Sequence, residues 1–161
     1  MFSILEIIDI AIQLEKNGEK VYRQAARQVA DDELTKMLAW FADEEIRHAD
    51  FFSSLKKGVE EDASEHFDEE MSRELIVRFV KEQMFSLKEV DFTLIDDLDE
   101  LLNIFIEFEE DTLLFFEMLH PFVTNSKYSE KMEQIINEEK SHIKQLHELK
   151  EIMLSAEHAE Q

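Results

Sequence analysis

Glu15, Tyr22 and the run Glu45-Ile46-Arg47-His48 return, 94 positions later, as Glu109, Phe116 and the run Glu139-Lys140-Ser141-His142. Each copy is a lone glutamate, an aromatic ring seven residues on, and a Glu-x-x-His thirty residues past the lone glutamate. Four carboxylates and two imidazoles at repeated spacing are the donors that two borderline-hard metal ions require inside a bundle of four helices. Residues three apart share a helix face, so each Glu-x-x-His lets its carboxylate bridge two ions while its imidazole caps one. Glu15 and Glu109, from the facing helices, complete each ion's share. Ionised carboxylates in a helical core cost many kcal/mol without a counter-charge, or else take up protons. Two divalent cations offset four carboxylates, and no stripe of lysine or arginine accompanies the six residues to do that instead.

Such a site needs long helices to carry it, and the chain is written for them. Two glycines and one proline in 161 residues leave few places to break a helix. Apolar residues at helical spacing run from residue 3 to about 30, including Ile7, Ile8, Ala11, Leu14, Val21, Tyr22 and Ala25. Asp31 and Asp32 are N-caps for a second helix with Leu34, Leu38, Phe41, Glu45, His48, Phe52 and Leu55 on its inner stripe, ended by Gly58. Helical hairpins are thus expected over about 3–57 and 97–155 in one domain, joined by a long connection over 58–96. That connection carries an acidic linker and a further amphipathic helix predicted over roughly 68–86. Asp96 or Asp97 caps the third helix, Pro121 and residues 123–126 make the second turn, and the tail after Ser155 frays.

The turns test the motif independently of the ligand types. Glu15 and the Glu45/His48 pair are equidistant from residues 30–31, and Glu109 and the Glu139/His142 pair from residues 124–125. Both midpoints fall on predicted turns. Fifteen residues of helix span about 22 Å, so all six residues land at one level of the bundle.

Composition excludes several other roles. With no cysteine there is no disulfide framework, no thiolate metal site and no rubredoxin-like iron module in this sequence. A net charge of -22, from 39 acidic against 17 basic residues, makes nucleic acid and anionic membrane surfaces poor partners. The acidity solvates the surface and raises the local concentration of divalent cations. Met1 to Glu15 lacks a basic leader and is interrupted by Glu6 and Asp9, so a cytoplasmic address is the expectation.

Neighbouring residues are read more plainly. Glu44, Glu110 and Glu138 flank ligands but turn about 100° away, and are expected at the surface. Tyr22 lies two turns from Glu15 on the same face, where its hydroxyl either bonds a ligand carboxylate or simply packs; Phe116 cannot donate. His66, His120, His147 and His158 are assigned no site, and the 13 phenylalanines and seven methionines are core, with no support for haem.

Across nearly the whole chain apart from 59–95, these residues resemble the rubrerythrin-like branch of the ferritin-like superfamily. The match lies in Glu15…Tyr22 with Glu45-Ile-Arg-His48-Ala49, and in Glu109…Phe116 with Glu138-Glu139-Lys-Ser-His142. The resemblance implies an all-α, ferritin-like antiparallel four-helix bundle with a long crossover. It implies two iron ions held by Glu15, Glu45, His48, Glu109, Glu139 and His142; manganese, or a mixed Mn/Fe pair, suits the same donors. It also implies reaction with hydrogen peroxide or dioxygen, an external electron donor, and a homodimer or larger assembly. Classical rubrerythrins carry a further carboxylate one turn after the third helix's ligand, where this chain has Thr112. The six remaining ligands are equally similar to bacterioferritin, whose centre oxidises ferrous iron, so a ferroxidase, storage or delivery role stands as the alternative. A metal-stabilised interaction module is the third class.

Overall fold

The computed structural model describes residues 4–61 and 97–159. Among them are four α-helices: α1 (Ile4–Gln28), α2 (Asp32–Glu61), α3 (Leu98–Leu119) and α4 (Ser126–Ala159), with a 3-10 turn at His120–Phe122 before α4. The starts of α2, α3 and α4 have local causes. Asp31 Oδ1 accepts from Leu34 N at 2.8 Å, Asp97 Oδ1 from Asp99 N at 3.0 Å, and Asn125 Oδ1 from Lys127 N at 3.1 Å, satisfying amides that have no partner inside their helices. Asp32 and Glu33, then Asp99 and Glu100, place negative charge in the first turns of α2 and α3, where the helix dipole favours it.

Pairs along the helices report their directions. Lys56 meets Asp9 at 2.8 Å and Arg23 meets Asp43 at 2.7 Å, so α1 and α2 are antiparallel. Lys140 with Glu117 at 2.8 Å and Lys150 with Asp99 at 3.3 Å make α3 and α4 antiparallel as well. Exposed pairs of this kind contribute little energy, and the apolar faces hold the bundle.

Those faces form two clusters rather than one. One contains Ile7, Ile8, Phe52, Leu55, Phe115, Phe116, Met132 and Ile135; the other contains Val21, Tyr22, Leu38, Phe41, Leu102, Phe105 and Leu146. Each draws on all four helices. Between them, at mid-height, lies a layer of charged and imidazole side chains.

Two boundaries differ from expectation. Gly58 does not end α2, which continues to Glu61. No glycine has positive φ, and a Cβ on Gly58 would stand 2.6 Å from the Tyr128 hydroxyl. Its smallness lets α4 approach closely. At the other end, α4 runs to Ala159 instead of fraying after Ser155. The helix expected over 68–86 lies outside the described residues.

Candidate metal centre

All six residues picked out by the repeat occupy the polar layer. Glu15, Glu45, Glu109 and Glu139 are 0 % exposed and His48 and His142 are 1 % exposed, so no solvent compensates them. They fall into two overlapping sets. Glu15, Glu45, His48 and Glu139 each bring a donor atom within 4.8 Å of the other three, and Glu45, Glu109, Glu139 and His142 do the same. Glu45 and Glu139 belong to both sets, as bridging carboxylates must.

Hydrogen bonding leaves room for that ion. Both oxygens of Glu15, both of Glu45 and Oε2 of Glu109 are buried with no hydrogen-bond partner. Buried polar atoms are rarely left this way, and here they converge on one volume. Among the described residues, the basic groups in ion-pair range of these carboxylates are the two histidines. His48 Nδ1 is 2.7 Å from Glu139 Oε1, and His142 Nδ1 is 3.0 Å from Glu139 Oε2. Four carboxylates facing two imidazoles fit a pair of divalent cations.

Titration behaviour follows from the same crowding. Burial, then the charges of Glu139 and Glu109, lifts Glu15 well above the usual carboxylate range. Burial and Glu15 do the same to Glu45, and burial with Glu139 carries Glu109 to about 7. Burial also opposes ionisation of Glu139, but hydrogen bonds from His142 and His48 outweigh it and hold this carboxyl low. Burial works against charge on the histidines too. Glu139 overcomes it to raise His48 to about 9, and Glu109 with Glu139 raises His142 to about 10. Protons and imidazolium take the place that cations would fill.

Aromatic neighbours surround the centre. The Tyr22 hydroxyl, fully buried on α1, donates to Glu109 Oε1 on α3. Burial and the charges of Glu109 and Glu45 raise its ionisation well above the usual value, so it remains a donor. Phe116, its repeat counterpart, packs on Phe52 with ring centroids 4.7 Å apart. Trp40, 42 % exposed, meets the His142 ring edge-on at 5.5 Å, and Phe41 meets it at 4.9 Å. No spacing in the sequence singles out Trp40, because the repeat has no aromatic at position 134.

Glu138 corrects the expectation that residues flanking the ligands lie at the surface. It is half-buried, and its Oε2 accepts from His48 Nε2 at 2.9 Å. A turn of 100° from Glu139 aims it into the seam between α4 and α2 rather than at solvent. This bond leaves Nδ1 as the inward donor and fixes the ring. Glu44, its repeat counterpart, is also half-buried but is held by Arg47. Glu110 is exposed, as expected. Replacing Glu138 with alanine should therefore weaken metal binding by about 10- to 100-fold, and Glu44→Ala should do far less. Calorimetric titration of the two variants decides this, since equal effects would mean that Glu138 does not orient His48.

A four-helix bundle with a buried layer of four glutamates and two histidines defines a ferritin-like carboxylate protein. Residues 6–150 match the Rubrerythrin family, and the chain belongs to it. The fold agrees: a crystal structure from Thermotoga maritima, of a protein described as ferritin-like and diiron-carboxylate, superposes with a TM-score of 0.69 at 25 % identity. That match covers 93 % of this chain and 95 % of the other. No curated protein matches significantly. Among the described residues, no helix is long and apolar enough to cross a membrane.

Proposed function

We propose that this chain is a di-iron redox protein that reduces hydrogen peroxide or dioxygen with electrons from an external donor. The observation that carries it is the pair of buried donor sets sharing Glu45 and Glu139. Iron is favoured over a redox-inert ion by family membership and by the diiron-carboxylate description of the Thermotoga maritima protein. Manganese, alone or paired with iron, suits the same donors. Glu15 and His48 would hold one ion, Glu109 and His142 the other, and Glu45 and Glu139 both. When bound, the pair supplies two electrons, the number that peroxide reduction needs. The chain's part is to orient the ligands and exclude water: Phe41, Phe52, Phe105 and Phe116 close the layer above and below. Tyr22 keeps a proton on its hydroxyl and directs it at Glu109 Oε1. With no cysteine in these 161 residues, the replacing electrons come from outside them.

A ferroxidase is the second reading, favoured by Thr112, which places a hydroxyl and not a fifth carboxylate one turn after Glu109. Stopped-flow oxidation of the anaerobically loaded di-ferrous protein separates the two. Peroxide reacting at least about tenfold faster than equimolar dioxygen is the expected result for two-electron peroxide reduction. The reverse order overturns the peroxidase reading in favour of the ferroxidase.

A further inference from the structure

Thr112 is 1 % exposed, and its Oγ1 has no hydrogen-bond partner. A helical threonine ordinarily settles this by bonding the carbonyl one turn back. Here the hydroxyl does not, although a buried hydroxyl left alone is costly.

Its location explains what it awaits. Thr112 is one turn after Glu109 on α3, and 94 positions before it, one turn after Glu15 on α1, stands Gly18. A Cβ on Gly18 would come within 2.8 Å of Glu45 Oε2 and 2.9 Å of the Phe108 ring. This register position therefore abuts the bridging carboxylate of its own hairpin. The repeat that relates Gly18 to Thr112 also relates Glu45 to Glu139. At this register position one copy has no side chain, and the other has a small one ending in an unpaired hydroxyl.

We propose that Thr112 is a binding residue for the exogenous ligand of the centre, with its Oγ1 hydroxyl donating a hydrogen bond to a small anion or peroxide bound there. The hydroxyl selects a ligand that can accept a hydrogen bond. This rests on the di-metal reading above and adds to it the group that recognises the oxidant.

Azide is the probe, titrated into the iron-loaded oxidised protein and followed by its visible charge-transfer absorption, with iron per chain measured on the same samples. Thr112→Val keeps the shape and removes the hydroxyl; Thr112→Ser keeps the hydroxyl. Azide should bind about tenfold more weakly to T112V, the loss of one buried hydrogen bond, and within about twofold of the parent to T112S. Iron content should be unchanged in both. Should T112V load poorly, Thr112→Ala is the second hydroxyl-free variant and carries the same expectation. Parent-like azide affinity in the hydroxyl-free variant, or equal weakening in T112S, overturns the proposal while leaving the di-metal reading intact. A parent protein that takes up no iron pair overturns both.

Discussion

Replacing Glu139 with alanine should empty both metal positions, whereas replacing Glu15 should empty only one. Glu139 is in both donor sets and Glu15 in one. Glu139 is also the nearest carboxylate to both inward imidazole nitrogens, at 2.7 Å from His48 and 3.0 Å from His142. Its removal takes a shared donor from each ion and leaves two buried imidazoles facing a gap. Loss of an outer-shell partner alone costs about 10- to 100-fold in affinity, so loss of a shared direct ligand should exceed about 100-fold for each ion. Metal per chain, by elemental analysis after gel filtration, should fall from about two to well under one in E139A, and to about one in E15A. Two ions retained in E139A would show that Glu139 does not bridge.

The second large effect is on stability, and its dependence on pH has a definite sign. In protein stripped with a chelator, Glu109 keeps its proton up to about 7, while its unfolded counterpart loses it near 4.5. An acid raised in this way favours the folded state at low pH and loses that contribution as pH rises through 7. His48 and His142, raised to about 9 and about 10, contribute fully below 6.5 and lose that contribution as pH climbs through those values. Glu139, held low, acts oppositely, but its contribution is lost only in acid, below 4.5. Between about pH 6 and 9 the folded chain therefore binds more protons than the unfolded one. Each excess proton is worth about 1.4 kcal/mol per pH unit, or about 3–5 °C in Tm for a chain of this size.

Metal reverses that slope, because cations compete with the same protons. Two ions at about 100 times their dissociation constants add about 5 kcal/mol together. At pH 8 the loaded protein should then melt about 10–20 °C above the stripped one. Melting curves followed by circular dichroism at pH 6, 7 and 8 check both parts. A stripped protein whose Tm rises with pH over this range would contradict the buried, protonated layer.

How much of this was legible in the sequence depends on whether one helix or two are needed to see it. The spacing of Glu45 and His48, and the turn at Asp31, are local facts, and they placed the six buried residues at one height. The alternation of apolar residues on either side of Glu15, Ile8 below and Tyr22 above, is local too. Glu138 was missed because a helical wheel gives the direction in which a side chain leaves its own helix, not what the adjacent helix presents there. Gly58 was misread for the same reason: a glycine near a helix end looks like a stop until Tyr128, seventy residues on, is seen against it. Trp40 belongs to no repeat, so only the packing of α2 against α4 reveals its contact with His142.

The exchange of Glu45 and Glu139 between the two donor sets makes each hairpin depend on the other. A single hairpin carrying one lone glutamate and one Glu-x-x-His offers an ion three protein ligands and lacks the fourth. Two identical hairpins, each lending its bridging carboxylate to the other, complete both sites at once. The differences between Tyr22 and Phe116, and between Gly18 and Thr112, give that otherwise symmetric cradle distinguishable sides.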